Sequence, residues 1–229
     1  IRSLTFSISA FILTLLDQKS RLMSSKFREE IRGVLDQEAD AIRSIPISTD
    51  YDDVVELIHE HVHQRGGKII ASGMGKAGHV ANHMATTLSS TGTPSLFLHP
   101  SEAKHGDLGL IRENDVLLVL SNSGKTREIL ELVELTHMLH ARVPVVMITG
   151  NPEGPLAMKS KLVLFTGNPT EVCPLGLTPT TSATAMAVIG DVLVVLMMKR
   201  IGFTSGDYAR RHHGGYLGEK SREAGNEDR

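Results

Sequence analysis

The hydrophobic residues of this chain fall into two patterns: short unbroken apolar runs, and longer segments in which apolar residues recur every three or four positions. The first pattern is typical of strands buried on both faces, and the second of amphipathic helices. Strands that alternate with helices indicate an α/β fold with a parallel sheet covered on both faces. The predicted strands cover residues 68–72, 95–98, 115–120, 143–149 and 162–165.

Helices are predicted before, between and after these strands, because polar turns separate the apolar runs from segments with helical spacing. The region 99–109 is polar and is predicted as a loop. A long apolar helix is predicted near the end of the chain, and its Asp191 favours burial in the protein over a membrane span. The predicted helices cover residues 26–45, 48–65, 79–88, 126–135, 180–201 and 205–211.

The stretch 115–128 is the most informative part of the sequence. An apolar run ends in Ser-Asn-Ser-Gly-Lys-Thr, and apolar residues then recur at helical spacing, which predicts a strand, a tight turn and a helix. The start of a helix offers free backbone N–H groups and a partial positive charge, and both suit a phosphate group. Ser121, Ser123 and Thr126 add hydroxyl donors, and Gly124 allows close approach of a ligand. The alternative is ordinary helix capping by serine or threonine.

A second polar loop, at 73–79, follows the first predicted strand. Ligands of parallel sheets bind beyond the carboxyl ends of the strands, so this loop and the one at 121–128 are expected to converge, which favours a phosphate site. Gly73 and Gly78 fit G-x-G-x-x-G spacing, but no acidic residue follows the next strand, which argues against a nicotinamide site. Lys76 does not occupy the lysine position of a Walker loop. No cofactor is predicted.

Composition narrows the function classes without selecting one. The 229 residues are 41% hydrophobic and 22% charged, enough to build the core of one domain, and with no Trp and 4% aromatic residues that core must be aliphatic. A formal net charge of -2 gives no sign of nucleic-acid binding. The single cysteine, Cys173, excludes an intramolecular disulfide and fits a reducing compartment. We therefore expect a cytoplasmic protein in which this thiol is a small buried apolar group.

The two ends of the chain are predicted to lie outside the domain. Residues 1–22 contain an apolar core, 8–16, that is too short to span a membrane and about as long as a signal-peptide core. This segment lacks a clear small-residue cleavage site, and Met23 looks like a more natural start, so an upstream extension is favoured over a working signal. Residues 222–229 form a charged tail that is expected to be solvated.

Eleven histidines raise the alternative of a metal site. The loop histidines, among them His99 and His105, match no compact ligand set. His59, His61 and His63 lie at two-residue steps, and we expect them to face different sides of a helix. No metal is predicted.

Six motifs, found in order along the chain, carry a resemblance to a known family. The sequence resembles, over about residues 26–221, the sugar isomerase (SIS) domain of the arabinose 5-phosphate isomerases of the KdsD, KpsF and GutQ type. The resemblance implies a flavodoxin-like, three-layer α/β/α sandwich with a parallel sheet of about five strands, in a SIS domain over 23–221. The motifs are SGMGKAGH at 72–79, STGTP at 90–94, HPSEAKHGDLG at 99–109, SNSGKTRE at 121–128, EVCPLGLTPTTS at 171–182 and RRHHGGYLG at 210–218.

The resemblance implies a reaction and a set of site residues. The reaction is the interconversion of D-ribulose 5-phosphate and D-arabinose 5-phosphate through an enediol, the first step in the biosynthesis of Kdo, an acidic sugar of lipopolysaccharide and some capsules. Where the family commonly reads ARSHPGG this sequence reads ARRHHGG, so His212 and His213 leave open which histidine acts. The implied catalytic residues are Lys76, His105, Glu128, Glu171 and His212, and the implied phosphate-binding residues are Ser72, Gly73, Ser121, Asn122, Ser123, Gly124 and Thr126.

The resemblance also implies partners. Family members form tetramers in which the final histidine loop often enters the site of a neighbouring subunit, so a homotetramer is expected. Longer members carry two regulatory CBS modules after the isomerase domain, whereas this sequence resembles the short, Bacteroides-type form without them. In that group the nucleotide sugar CMP-Kdo is an expected feedback inhibitor at the active site. No nucleic-acid or membrane partner is expected.

The chemistry of an aldose–ketose isomerase fits these residue types. Moving a proton between C1 and C2 needs a base, a ring-opening group and stabilisation of the developing oxyanion. Glu128 lies just beyond the phosphate loop, and Lys76 at a helix start opposes the helix dipole unless an anion binds there. From the residues alone, Glu128 as a solvated carboxylate and the histidines as surface residues remain alternatives. An isomerase of another sugar phosphate and a non-catalytic sugar-phosphate sensor also stay open.

Overall fold

The computed structural model describes residues 26–214 together with Tyr216 and Lys220. The predicted extension at 1–22 and the charged tail at 222–229 lie outside the described residues. The chain divides into two units, Ile1–Asp40 and Ala41–Arg229. The described residues of the first unit begin helix α1 (Arg28–Arg43), which matches the amphipathic helix predicted over 26–45. The elements that build the functional site all lie in the second unit.

The second unit is built on a sheet in which, among the described residues, five strands run parallel. The strands lie in the order β2-β1-β3-β4-β5, and β1 and β3 end side by side, with Gly73 opposite Leu120. The predicted α/β class and the predicted strands are confirmed, with small shifts at their ends. The strands are β1 (Ile69–Gly73), β2 (Ser95–Phe97), β3 (Val116–Leu120), β4 (Val145–Thr149) and β5 (Leu162–Phe165).

Helices cover both faces of this sheet. Successive side chains of a strand point to opposite faces, so Ile69 and Ala71 join one core cluster and Ile70 joins the other. Helices α2, α3 and α7 pack on the first face, and α5 and α6 on the second, which confirms the three-layer sandwich. The helices of this unit are α2 (Asp50–Ile58), α3 (Gly75–Ser90), α4 (Pro100–Ala103), α5 (Arg127–Leu139), α6 (Pro155–Met158), α7 (Thr181–Arg200) and α8 (Ser205–Ala209).

One helix of the described chain, α7, is long and apolar enough to cross a membrane by length and composition. Half of its most apolar window is buried in the protein, and Ile189 and Leu193 belong to the core of the first face. A Cβ at Gly190 would lie 2.5 Å from the side chain of Met84 in α3, so glycine allows the two helices to pack closely. The helix therefore packs into the core, as predicted.

Two sequence predictions are wrong in detail. Residues 99–109 are not a plain loop, because Pro100 starts α4 and a 3₁₀ turn follows over Asp107–Leu110. The helix predicted over 48–65 becomes a π-helix at His59–Gln64. There the rings of His59 and His63 stack with centroids 5.8 Å apart, because residues four apart are neighbours on a helical surface. The expectation that these histidines face different sides is therefore wrong for His59 and His63, whereas His61 is buried and contacts the Asn114 carbonyl oxygen instead.

Candidate active site

A pocket of about 590 Å³ opens at the carboxyl end of the sheet, beside β1 and β3. The chain leaves β1 for β2 on one side and returns to β3 on the other, so the strand order reverses between β1 and β3. Ligands of open parallel sheets bind at such a switch point. Residues of both predicted loops, 73–79 and 121–128, line the pocket, so the predicted convergence is observed.

The turn after β3 supplies one wall of the pocket, through Ser121, Asn122, Ser123 and Thr126. The hydroxyl oxygens of Ser121 and Thr126 are 2.7 Å apart, and the Gly124 N–H donates to the Ser121 carbonyl at 3.2 Å. Gly124 has a φ of +65°, and a Cβ there would lie 3.1 Å from a backbone carbonyl oxygen. Both the backbone conformation and the space therefore require glycine at this position.

Two helix starts face the pocket without side-chain caps. Thr126 is the N-cap of α5, but within the described chain it makes no capping hydrogen bond, because its hydroxyl group pairs with Ser121. Met74 is the N-cap of α3, and its side chain has no capping acceptor. Backbone N–H groups at both helix starts are therefore left for another acceptor, and with the helix dipole they favour an anion. Ordinary helix capping does not explain the hydroxyl groups of this turn.

Lys76 lies in the first turn of α3, exposed and lining the pocket. No carboxylate partner for its ammonium group is found among the described residues. A cation at the positive end of a helix is unfavourable by itself, so an anion bound in the pocket would compensate both charges.

Ser72 and Gly73, which are predicted near the phosphate, shape the backbone of the site and do not line the pocket within the described chain. Ser72 is buried, and its Oγ donates to the Leu98 carbonyl oxygen at 2.6 Å, which ties the end of β1 to the end of β2. A Cβ at Gly73 would lie 2.9 Å from backbone atoms of Ala77. Glycine therefore lets the first turn of α3 pack directly against β1.

Glu171 lies on the opposite wall, where its carboxylate is fixed at the start of α7. Its Oε2 accepts hydrogen bonds from the Thr180 N–H at 2.7 Å, the Thr180 hydroxyl at 2.9 Å and the Ser182 N–H at 3.3 Å. Burial alone would raise the pKa of Glu171, but the hydrogen bonds from Ser182 and Thr180 outweigh it and hold the pKa below its ordinary value. Glu171 is therefore an ionised, oriented carboxylate.

Glu128, His105 and His212 do not line this pocket within the described part of one chain. Glu128 is half-buried in the first turn of α5, and His105 is exposed between α4 and the 3₁₀ turn. His212 follows α8, where its Nδ1 lies 3.0 Å from the Tyr208 carbonyl oxygen and its ring stacks on the Tyr208 ring. One chain thus brings Lys76 and Glu171 to the same pocket as the turn after β3 and leaves the other three predicted residues outside that pocket.

The segment after β5 contributes a wall that the sequence interpretation missed, apart from Glu171. Asn168, Pro169, Thr170 and Leu177 line the pocket. Asn168 has a φ of +50°, the only positive φ of a residue other than glycine among those described. The available signal was the Gly-Asn-Pro turn at the end of β5, because such residues mark the end of a strand beside a ligand edge.

Cys173, in the same segment, is partly exposed, so the expectation of a buried apolar thiol is wrong. Hydrogen bonds from the Thr178 hydroxyl, then from the backbone N–H groups of Thr178, Leu177 and Leu175, lower the pKa of this thiol to about 6. The thiolate is therefore the main form at neutral pH.

Among the described residues, no group of three or more His, Cys, Asp or Glu side chains is arranged to hold a metal ion.

The family model of the SIS domain matches residues 61–196, which include the turns and helix starts that line the pocket. The chain belongs to the SIS domain family. This SIS domain is 49% identical over 154 residues to the arabinose 5-phosphate isomerase KdsD of Escherichia coli K12, a match that covers 67% of this chain and 46% of that relative. KdsD of Pseudomonas aeruginosa is 47% identical over the same length. The chain spans about half the length of the curated relatives it matches.

Solved structures share the fold of this SIS domain. A Bacteroides fragilis protein described as a candidate phosphosugar isomerase involved in capsule formation is 57% identical, with a TM-score of 0.81, and the match covers 82% of this chain and 98% of that one. The Escherichia coli CFT073 protein c3406, solved in complex with arabinose 5-phosphate, is 29% identical with a TM-score of 0.76 and covers the same shares. The resemblance to the SIS domain of arabinose 5-phosphate isomerases is confirmed.

Proposed function

We propose that this SIS domain catalyses the interconversion of D-ribulose 5-phosphate and D-arabinose 5-phosphate through an enediol intermediate. The observation that carries the proposal is the pocket between β1 and β3, where two uncapped helix starts meet a hydroxyl-lined turn, Lys76 and Glu171. The 49% identity to KdsD and the arabinose 5-phosphate complex of the Escherichia coli neighbour support a pentose 5-phosphate as the substrate.

The phosphate group of the substrate binds at the turn after β3. The hydroxyl groups of Ser121, Ser123 and Thr126 and the uncapped N–H groups of α5 donate to its oxygens. Asn122 lines the same wall, and its Oδ1 is buried without a hydrogen-bond partner among the described residues. Gly124 keeps the backbone close enough for these contacts.

The sugar end of the substrate extends from this turn towards Lys76 and Glu171. Lys76 supplies positive charge to the oxyanion that develops as the C1/C2 proton is removed, and the ionised Glu171 orients a sugar hydroxyl. Glu128 or His212 moves the proton between C1 and C2, and the other histidine opens or orients the sugar. These single roles are part of the proposal.

Assembly of several chains completes the site, because it brings residues that lie outside the pocket of one chain to the pocket of another. We propose a homotetramer in which the segment that carries His212 enters the pocket of a neighbouring subunit. Coexpression of Lys76→Ala and His212→Ala chains tests this shared site, because mixed oligomers would contain sites with both native residues. Activity that reappears in the mixture supports the shared site; no recovery in isolated mixed oligomers contradicts it.

The activity itself is tested by measuring conversion of D-ribulose 5-phosphate by the purified chain. We expect D-arabinose 5-phosphate as the product, with kcat lowered strongly in Glu128→Gln and His212→Ala. Binding of the sugar phosphate without conversion would contradict the isomerase function and favour a non-catalytic sugar-phosphate sensor. Conversion of only a hexulose phosphate or an amino-sugar phosphate would show that the domain is an isomerase of another sugar phosphate.

The product of this reaction would feed Kdo synthesis in the cytoplasm. We propose that CMP-Kdo, the activated end product, competes with the sugar phosphate in the same pocket. An increase in KM without a change in kcat on addition of CMP-Kdo is the expected result, and a change in kcat alone would place the inhibitor elsewhere.

A further inference from the structure

Two adjacent histidines end the described segment after α8, but only one of them has a fixed ring. The Nδ1 of His212 lies 3.0 Å from the Tyr208 carbonyl oxygen, and the two rings stack with centroids 3.7 Å apart and planes inclined by 7°. His213 is exposed, and its side chain makes no hydrogen bond or ring contact with the described residues. The structure therefore separates two histidines that the sequence leaves equivalent.

The contact with Tyr208 decides which nitrogen of His212 carries the proton. A carbonyl oxygen can only accept a hydrogen bond, so Nδ1 must donate to it. In the neutral imidazole, Nε2 is then the unprotonated nitrogen. Nε2 is therefore the atom that can take a proton from a substrate and later return it.

Tyr208 is itself held in place by the local structure. The Thr204 hydroxyl accepts from the Asp207 N–H at 3.1 Å, and the Asp207 carboxylate accepts from the Thr204 N–H at 3.0 Å, which closes a capping box at the start of α8. Asp207 also pairs with Arg210. Since Tyr208 lies in the turn that this box stabilises, its carbonyl and ring present a defined surface to His212.

We propose that Tyr208 is a positioning residue for the isomerase reaction: it holds His212 in the Nδ1–H form and presents Nε2 as the acid–base atom. The proposal rests on the proposed function, in which His212 is a candidate catalytic residue. The backbone carbonyl sets the tautomer, and the aromatic ring sets the plane of the imidazole. The Tyr208 hydroxyl makes no hydrogen bond with the described residues, so the ring is the part of the side chain that matters.

Kinetics of four variants test this role with D-ribulose 5-phosphate as the substrate. In Tyr208→Leu we expect kcat to fall about tenfold with KM changed less than about twofold, because a misplaced acid–base group affects the transition state more than binding. Tyr208→Phe keeps the ring and should stay within about twofold of the native enzyme. The matched control is Phe203→Leu, which removes a ring that lies against Arg211 and keeps the Tyr208 ring on which His212 stacks. In a His212→Ala background, Tyr208→Leu should have no further effect, because the two residues act together.

The tautomer is measured directly by ¹⁵N NMR of the histidine side chains, with the His212 signal assigned by its loss in His212→Gln. We expect the Nδ1–H form in the native protein and a mixture of tautomers in Tyr208→Leu, because an imidazole that is no longer held in plane by the ring loses its alignment with the carbonyl of residue 208. An Nε2–H form in the native protein, or the same loss of kcat from Tyr208→Leu with and without His212, would overturn the proposal. A native chain without isomerase activity would refute the proposed function, while the NMR measurement would still decide whether Tyr208 fixes the ring.

Discussion

The two ends of the central sheet differ in whether their polar groups have hydrogen-bond partners within the protein. At the amino end, Asp115 is buried, and its carboxylate accepts from the Lys68 N–H at 2.9 Å, the Arg112 N–H at 2.8 Å and the Lys68 ammonium group at 2.7 Å. At the carboxyl end, the N–H groups of two helix starts and the Lys76 ammonium group have no such partners among the described residues. Polar groups satisfied by the chain stabilise the fold, and groups left open are available to a ligand.

Residues that stabilise the fold and residues that serve function therefore lie at opposite ends of the same strands. A change at the amino end should lower the free energy of unfolding and spare the activity of the folded protein. A change at the carboxyl end should lower activity and leave stability nearly unchanged. Lys68 and Lys76 allow a matched comparison, because they lie beyond opposite ends of the same strand, β1.

The largest effect is expected from Lys76→Met. In the proposed mechanism Lys76 supplies positive charge to the developing oxyanion, so its loss should lower kcat/KM by about 100-fold to 1,000-fold, with little change in the melting temperature. Lys68→Met is the control, with the opposite pattern of a lower melting temperature and a near-native kcat/KM. Equal losses of activity in both variants would remove the distinction between the two ends of the sheet.

At the amino end, Asp115→Ala should lower the free energy of unfolding by about 2 to 3 kcal/mol. The substitution leaves two backbone N–H groups without their acceptor, although Lys68 is partly exposed and can turn to water, which limits the loss. Urea unfolding followed by circular dichroism measures this change. A loss of kcat in the remaining folded protein would contradict a purely structural role.

At the carboxyl end, Ser121→Ala should raise KM for the sugar phosphate by about tenfold, because a charge-assisted hydrogen bond to phosphate is lost. The melting temperature should hardly move, since among the described residues the Ser121 hydroxyl pairs only with Thr126. Ser90→Ala, which removes a hydroxyl that donates to the Thr87 carbonyl at the far end of α3 from the pocket, is a suitable control. An unchanged KM would place the phosphate elsewhere.

The pKa of the Cys173 thiol measures how strongly the hydrogen-bond donors around it, in the segment that carries Glu171, stabilise the thiolate. Its pKa of about 6 predicts that alkylation by iodoacetamide rises with pH and is half-maximal near pH 6, since the thiolate is the reacting form. Thr178→Val removes the largest contribution and should move the midpoint to higher pH. A midpoint near the ordinary value for cysteine in the native chain would mean that these donors do not reach the sulfur.

The smallest effect concerns His61, which lies beside the amino end and contacts the Asn114 carbonyl at 3.2 Å. Burial lowers the pKa of His61, and of His63, below the ordinary 6.5 in the folded chain. The unfolded chain therefore binds more protons below pH 6.5, so stability present above that pH is lost as the pH falls through the lower folded pKa. Urea midpoints at pH 7.5 and 5.5 measure the loss, and His61→Gln should reduce it more than the exposed His213→Gln.

Local chemistry explains which predictions from the sequence succeeded. The strand at 116–120 and its Ser-Asn-Ser-Gly-Lys-Thr turn are recognisable because an unbroken apolar run and a turn with glycine are short-range signals. The π-helix at His59–Gln64 and the short helix at Pro100–Ala103 are not, because a few residues carry too little periodicity to distinguish them from other turns.

The sequence by itself determined the strands and the Ser-Asn-Ser-Gly-Lys-Thr turn, because each depends on neighbours within one or two turns of the chain. Lys76 stood out by its place at a helix start, and Glu171 was implied only by the family resemblance. Only the tertiary structure decided that Asn168 and Leu177 line the pocket, that Ser72 bonds to Leu98, and that His212 contacts the carbonyl and ring of Tyr208. Strand order and helix packing bring together residues far apart in the chain. Hydrophobic periodicity records only which face of an element is buried, so it cannot specify those contacts.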